Sequence, residues 1–163
     1  MSNKTHLTWD NIQEDCKLLA EKLSDINISC IIGIANGGMI PATLLAKYLK
    51  VNKLLSANLK SYQEDKPRDG AHSTEDTVDV ISFPSWVELK KENKVLIVDD
   101  LADTGLTLRE VKQMDHIINQ EREDKENCWV YATLYYKPKT TIKPNYTVKE
   151  FSNDEWIVFP WEY

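Results

Sequence analysis

The stretch Lys94 to Glu110, KVLIVDDLADTGLTLRE, constrains this chain more than any other. Val95 to Val98 are apolar without a break, the pattern of a strand buried on both faces in a parallel sheet rather than one with a wet face. The run ends in Asp99 and Asp100, passes through a loop of small residues, Ala102-Asp103-Thr104-Gly105-Leu106-Thr107, and enters a helical pattern over Leu106 to Ile118. A parallel strand needs a crossover to reach its neighbour, so this order predicts an α/β fold: a mostly parallel twisted sheet flanked by helices. In such sheets ligands bind in the crevice beyond the carboxyl ends of the strands, where these acids and threonines stand.

The flanking sequence supplies further elements. Thr8 can cap a helix with Asp10 in its first turn, and Ile12, Cys16, Leu19 and Leu23 follow at helical spacing. Ile28 to Ala35 reads as a short strand, Asn36-Gly37-Gly38 as a tight turn, and Ile40 to Leu49 as a helix with Pro41 near its start. Leu54 to Lys60 is the next strand. Ser61 to Asp76 is polar, carries both charge signs and holds Pro67 and Gly70, which fits either a disordered excursion or a mobile lid. Thr77 to Ser82 alternates and can return as the second strand of a hairpin. Cys128 to Tyr136 is a strand that Lys137-Pro138 must end, and Tyr146 to Val148 is a last short strand. The tail, Asn153 to Tyr163, is too irregular for a helix and too aromatic for a disordered end, so it should pack as a loop.

A chain of 163 residues, 42% of them hydrophobic, suits one domain, 1–163, without a linker or repeat. The net charge of −6 argues against nucleic-acid or anionic-membrane partners, which need dense positive charge. Cys16, Cys30 and Cys128 are odd in number and far apart, so neither a disulfide framework nor a zinc site is indicated. The polar start MSNKTHLTWD and the absence of an apolar run near the roughly 20 residues that span a bilayer point to a soluble, cytoplasmic protein. His6, His72 and His116 have no partner at a recognisable spacing and read as surface residues.

Two stretches carry chemistry. Successive N–H groups in the loop that opens the helix after Asp103 form a nest for a phosphate, to which the Thr104 and Thr107 hydroxyls can also donate. Asp99 and Asp100 are acceptors and suit sugar hydroxyls or Mg2+ better than a phosphate. Plain helix capping would need one such residue, and this stretch has three acids and two threonines. Gly37 and Gly38 let backbone N–H groups approach an anion, although a βα turn that needs only positive φ would read the same way. Neither a Walker loop nor a dinucleotide fingerprint occurs.

VLIVDDLADTGLT resembles the phosphoribosyl-diphosphate (PRPP) motif of type I phosphoribosyltransferases, two acids followed by a T-G-x-T loop. VLIVDD is also similar to the start of a receiver domain, but only about sixty residues follow here, too few for the remainder of one. Ile32 to Pro41, IGIANGGMIP, resembles the family's pyrophosphate loop, and Leu59-Lys60-Ser61-Tyr62 the start of its flexible loop, about 61–76. Lys137-Pro138, Asp154-Glu155-Trp156-Ile157 and Pro160-Trp161 are similar to the base-recognising elements of bacterial xanthine-guanine phosphoribosyltransferases, which implies a small C-terminal hood over about 137–163.

The resemblance implies a purine-salvage enzyme that moves the 5-phosphoribosyl group from PRPP to guanine, xanthine or hypoxanthine. Asp99 and Asp100 would hold the ribose hydroxyls and, chiefly through Asp100, Mg2+. Asp103, Thr104, Gly105, Leu106 and Thr107 would cradle the 5′-phosphate, with Asp103 also managing the proton at purine N7 as general base or acid. Asn36, Gly37 and Gly38 would meet pyrophosphate, and Ser61 and Tyr62 would lead into a loop that closes over the site. Lys137 would donate to the 6-oxo group, Trp156 would stack on the base, and the Ile157 backbone would meet position 2. The implied working form is a homo-oligomer, a dimer or tetramer. One position departs: the family commonly has Arg or Lys at Asn36, whose amide makes weaker bonds to pyrophosphate. A slower enzyme is expected, with the backbone or Lys66, Arg68 and His72 compensating. The alternative is a non-catalytic PRPP or nucleotide sensor on the same fold, against which Asp103, Lys137 and Trp156 speak.

Overall fold

The computed structural model describes residues 3–62, 77–120 and 129–162. The elements run β1 (Lys4–His6), α1 (Trp9–Leu23), β2 (Cys30–Ala35), α2 (Met39–Tyr48), β3 (Lys53–Tyr62), β4 (Thr77–Ser82), α3 (Trp86–Leu89), β5 (Val95–Ala102), α4 (Leu106–Asn119), β6 (Trp129–Tyr136), β7 (Tyr146–Glu150) and β8 (Trp156–Val158). Six strands form one sheet in the order β4-β3-β2-β5-β6-β7, parallel except where β4 returns along β3. The expected α/β architecture is what forms.

Alternation along the central strands divides the core into two layers. Ile31, Leu96, Val98, Ala132 and Leu134 face α1 and α2, where Ile12, Cys16, Leu19, Leu23, Ala42 and Leu45 close the packing. Cys30, Ile32, Ile34, Val95, Ile97 and Tyr131 face the other way, against Leu89 of α3 and Leu108, Val111 and Ile118 of α4. The polar break missing from Val95 to Val98 is missing because both faces of β5 are covered; all four residues are 0% exposed. Thr8 caps α1 as expected, its hydroxyl accepting from Asn11 N at 3.1 Å while Asn11 Oδ1 accepts from Thr8 N at 3.0 Å.

Several expectations change. β5 does not stop at Val98 but continues to Ala102, because β6 keeps pairing with it (Asp99↔Thr133, Leu101↔Tyr135, Ala102↔Tyr136) after β2 has left at Gly33↔Val98. Asp99 and Asp100 therefore sit within a strand that has lost one neighbour, not in a loop beyond its end. Ser61 and Tyr62 are likewise still strand, paired with Val78 and Thr77. The tail is not all loop, since β8 pairs in parallel with β1 in a separate two-stranded sheet. Its packing is as expected: Phe159 lies against Tyr135, Trp161 stacks on Phe159 at 4.7 Å between centroids, and Trp9 leans on Trp161. His6 and His116 are exposed. The remainder of the loop proposed over 61–76, with Lys66, Arg68 and His72, lies outside the described residues, as does Cys128.

Ile97→Ala in the centre of β5 should destabilise the protein by about 2–5 kcal/mol, since both faces of that strand are too tightly covered to collapse into the cavity. Thr8→Ala should cost only about 1 kcal/mol through the lost cap. Urea unfolding of both variants against the parent chain checks the ranking.

Candidate active site

The sheet reverses its winding between β2 and β5, with α2 leading from β2 to β3 on one side and α4 from β5 to β6 on the other. Such a switch point leaves a crevice at the carboxyl ends of the two strands. A cleft of about 270 Å³ occupies it, lined by Ile34, Ala35 and Gly37 from the first junction, Leu59 and Ser61 from β3, and all of Asp99 to Leu108. The structure thus brings Gly37, Ser61, Asp99, Asp100, Asp103, Thr104, Gly105, Leu106 and Thr107 to one cavity. Asn36, Lys137, Trp156 and Ile157 do not line it.

The glycine turn is pressed onto the acid strand. A Cβ on Gly38 would lie 2.6 Å from the Val98 carbonyl oxygen, 2.7 Å from that of Ile34 and 2.9 Å from Asp99 Cα; one on Gly37 would lie 2.0 Å from Asp100 Oδ2. Close approach, not a positive φ, requires glycine here: among the described glycines only Gly105 has one. The Ala35-Asn36 peptide is cis, and Asn36 is exposed. At the other junction Gly105 opens α4 with φ of 86°, and its Cα side faces the Thr140 and Thr141 hydroxyls and Ile142 N. The Thr104 hydroxyl accepts from Leu106 N at 3.4 Å, so this threonine faces the helix start as a cap would.

The acids are electrostatically loaded. Asp99 Oδ1 accepts from Asp100 N at 2.9 Å, and Asp100 Oδ1 from Leu101 N at 2.7 Å. Burial pushes the Asp100 carboxyl up to about 6 against those bonds, and the charge of Glu162 adds to the rise. Burial and then the charge of Asp100 hold Asp99 well above the ordinary carboxylate range. Glu162 had no signal in the sequence pattern; only the fold of the tail carries it within electrostatic reach of β5.

Asp103 is where the two halves of the site meet. Its Oδ1 lies 3.5 Å from Lys137 Nζ and 2.9 Å from Lys139 Nζ. Lys137 is buried (5% exposed), which an ammonium tolerates only beside opposite charge. Trp156 is 59% exposed although Ile157 beside it is buried, so its ring is free to stack on a planar group. Lys139 escaped the sequence reading because a lysine two residues past a strand end reads as solvated surface.

The switch-point cleft has a glycine turn on one side, paired acids and a threonine loop on the other, and an aspartate paired with lysines at its edge. The Phosphoribosyl transferase domain matches residues 7–163, and the chain belongs to that family. Similar relatives are the xanthine-guanine phosphoribosyltransferases of Cereibacter sphaeroides (29% identical, over 96% of this chain and 86% of the relative) and Nitratidesulfovibrio vulgaris (31%, over 96% and 83%). Among solved structures, a purine phosphoribosyltransferase from Pyrococcus horikoshii superposes with a TM-score of 0.73 at 34% identity, covering 98% of this chain and 95% of that one. Within the family this chain is a purine phosphoribosyltransferase.

Gly38→Ala must displace backbone and should cost about 1–3 kcal/mol in urea unfolding, whereas Gly37→Ala meets only the Asp100 side chain and should fold normally while losing transfer activity. A second measurement tests the acids. Because the folded-state pKa of Asp100, about 6, exceeds the ordinary carboxylate value, folded protein binds that proton more tightly than unfolded chain does. This contribution to stability is present at low pH and lost as pH rises through about 6. Unfolding midpoints of ligand-free protein should reflect that loss between about pH 4 and 6.5, and Asp100→Asn should flatten the dependence; an unchanged slope would count against the assignment.

Proposed function

We propose that the protein transfers the 5-phosphoribosyl group of PRPP to a 6-oxopurine (guanine, xanthine or hypoxanthine), releasing pyrophosphate and a nucleoside monophosphate, as a cytoplasmic step of purine salvage. The observation that carries this reading is Asp103: one carboxylate lines the cleft of acids and threonines and is ion-paired with the buried Lys137. Phosphoribosyl binding and base binding thereby adjoin at a group able to accept a proton. Relatives named xanthine-guanine phosphoribosyltransferase support the choice of base class.

In this reading the N–H groups and hydroxyls from Asp103 to Thr107 hold the 5′-phosphate, and Asp99 and Asp100 hold the ribose hydroxyls. Backbone of Asn36, Gly37 and Gly38 meets pyrophosphate, and Ser61, which lines the cleft, and Tyr62 lead into the closing loop. Lys137 donates to the 6-oxo group, which an ammonium distinguishes from the 6-amino group of adenine because it has no acceptor. Trp156 stacks on the base and the Ile157 backbone meets position 2. As the base attacks C1 and pyrophosphate departs with the bonding pair, Asp103 beside N7 takes up the purine's proton. The domain is read as one unit, 1–163, with 137–163 as a hood over the base.

The donor set suits Mg2+. Asp99 and Asp100 are adjacent carboxylates, the oxygen donors a hard dication takes, and their burial beside further negative charge leaves room for a counter-charge. In this reading Mg2+ is held by Asp100, with Asp99, and by substrate oxygens. Bound there, it would neutralise charge on the leaving pyrophosphate. The working form is read as a homo-oligomer, dimer or tetramer, supported by the apolar groove of Trp9, Ile12, Met39, Ile40 and Leu44 between α1 and α2. No helix of the described residues is long and apolar enough to cross a membrane.

Incubation with Mg2+, PRPP and each of guanine, xanthine, hypoxanthine and adenine should give nucleotide and pyrophosphate with 6-oxopurines and not with adenine. Silence with every base would overturn the reading. Asp103→Asn should lower turnover by about 10²-fold or more while PRPP still binds, and unchanged turnover would remove Asp103 from the mechanism.

A further inference from the structure

The turn after β6 is stitched to the phosphate loop at two points. Lys137 N donates to the Ala102 carbonyl at 2.9 Å, and Thr141 donates twice to the Thr104 carbonyl, from N at 2.9 Å and from Oγ1 at 3.1 Å. Between these stitches lie Asp103 on one side and Lys139 on the other. Lys139 N is held separately by Asn153 Oδ1 at 2.9 Å, in the segment just before β8. From that anchored backbone the Lys139 ammonium reaches Asp103 Oδ1 at 2.9 Å, closer than Lys137 at 3.5 Å. Asp103 Oδ1 is itself buried and accepts no hydrogen bond, so these two cations are its compensation.

We infer that Lys139 is a positioning residue for the transfer reaction, holding one oxygen of Asp103 so that the other is presented to the purine; the inference rests on the roles given above to Asp103 and Lys137. An exposed ion pair ordinarily contributes little, and the Lys139 side chain is 41% exposed. This pair differs because the backbone on each side of it is pinned and Asp103 Oδ1 is shielded from water. When a purine's 6-oxo group takes up Lys137, Lys139 is the cation left on Oδ1. Without it the carboxylate can turn about its side-chain torsions, and a proton acceptor that is misplaced by a small rotation loses much of its effect. The Asn153 contact also links the segment that carries Trp156 to the proton acceptor. Stacking face and acceptor are thus held in one frame.

The test is steady-state kinetics of the full chain, Lys139→Met and Lys139→Arg, with PRPP, Mg2+ and a 6-oxopurine that the parent chain uses. Lys139→Met should lower kcat about tenfold while KM for PRPP stays within about twofold of the parent and the urea midpoint does not move. Lys139→Arg, which keeps charge and reach, should recover most of the loss. A kcat for Lys139→Met equal to the parent's would overturn the inference, as would Lys139→Arg being as slow as Lys139→Met, or a fall in activity matched by a fall in stability. A parent chain silent with every base would instead overturn the reading of the site itself, so the two failures are distinct.

Discussion

Everything in the site depends on two parallel strands lying side by side in register. Cys30 pairs with Val95 and Gly33 with Val98, so β2 ends alongside the middle of β5, which runs on to Ala102. The turn after β2 then comes down on the extension of β5, with Gly38 against the Val98 carbonyl and Asp99 Cα and Gly37 against the Asp100 carboxylate. A shift of register by one residue would move Leu96 and Ile97 each into the opposite layer, undoing the packing against both sets of helices. The hydrophobic core therefore sets the position of the polar site.

That placement has an electrostatic consequence. Lys137 and Lys139 stand beside Asp103, while Asp99 and Asp100 accept from the backbone N–H groups of Asp100 and Leu101, and the charge of Asp100 adds to the rise that burial imposes on Asp99. Burial thus leaves those two carboxyls holding their protons more tightly than exposed acids do, whereas Asp103 has two cations beside it.

Much of this was legible in the sequence, and what was not has identifiable causes. The uninterrupted apolar run of β5, the Thr8 cap and the glycine turn each carry a local signal, and each element formed within a few residues of its expected bounds. The one-turn helix α3 was missed although Ser85 and Glu88 spell a capping box that the structure realises. β1 was missed for a different reason. Lys-Thr-His has no apolar alternation, and the strand exists because β8 offers it an edge. The extension of β5 past Val98 depends on whether β6 continues beside it, which no local pattern records. Lys139 and Glu162 are charged residues in irregular segments, and only tertiary structure separates them from the other charged residues of the surface.

The exposed face of β8 shows the same dependence on distant chain. Trp156 keeps its ring in solvent, a costly arrangement for an indole unless something planar covers it. Its backbone is held from the other end of the chain: Trp156 N donates to the Asn3 carbonyl at 2.7 Å, and Leu7 N to the Val158 carbonyl at 2.9 Å. The Thr5 hydroxyl bonds Glu155 in the same seam. The buried Ile157 and Phe159 then fix which way β8 faces, so Trp156 is turned outward by the packing of its neighbours rather than by any contact of its own. The first described residues are thereby part of what orients the exposed Trp156, and the residue with the least burial in β8 is the one whose direction the rest of that strand determines.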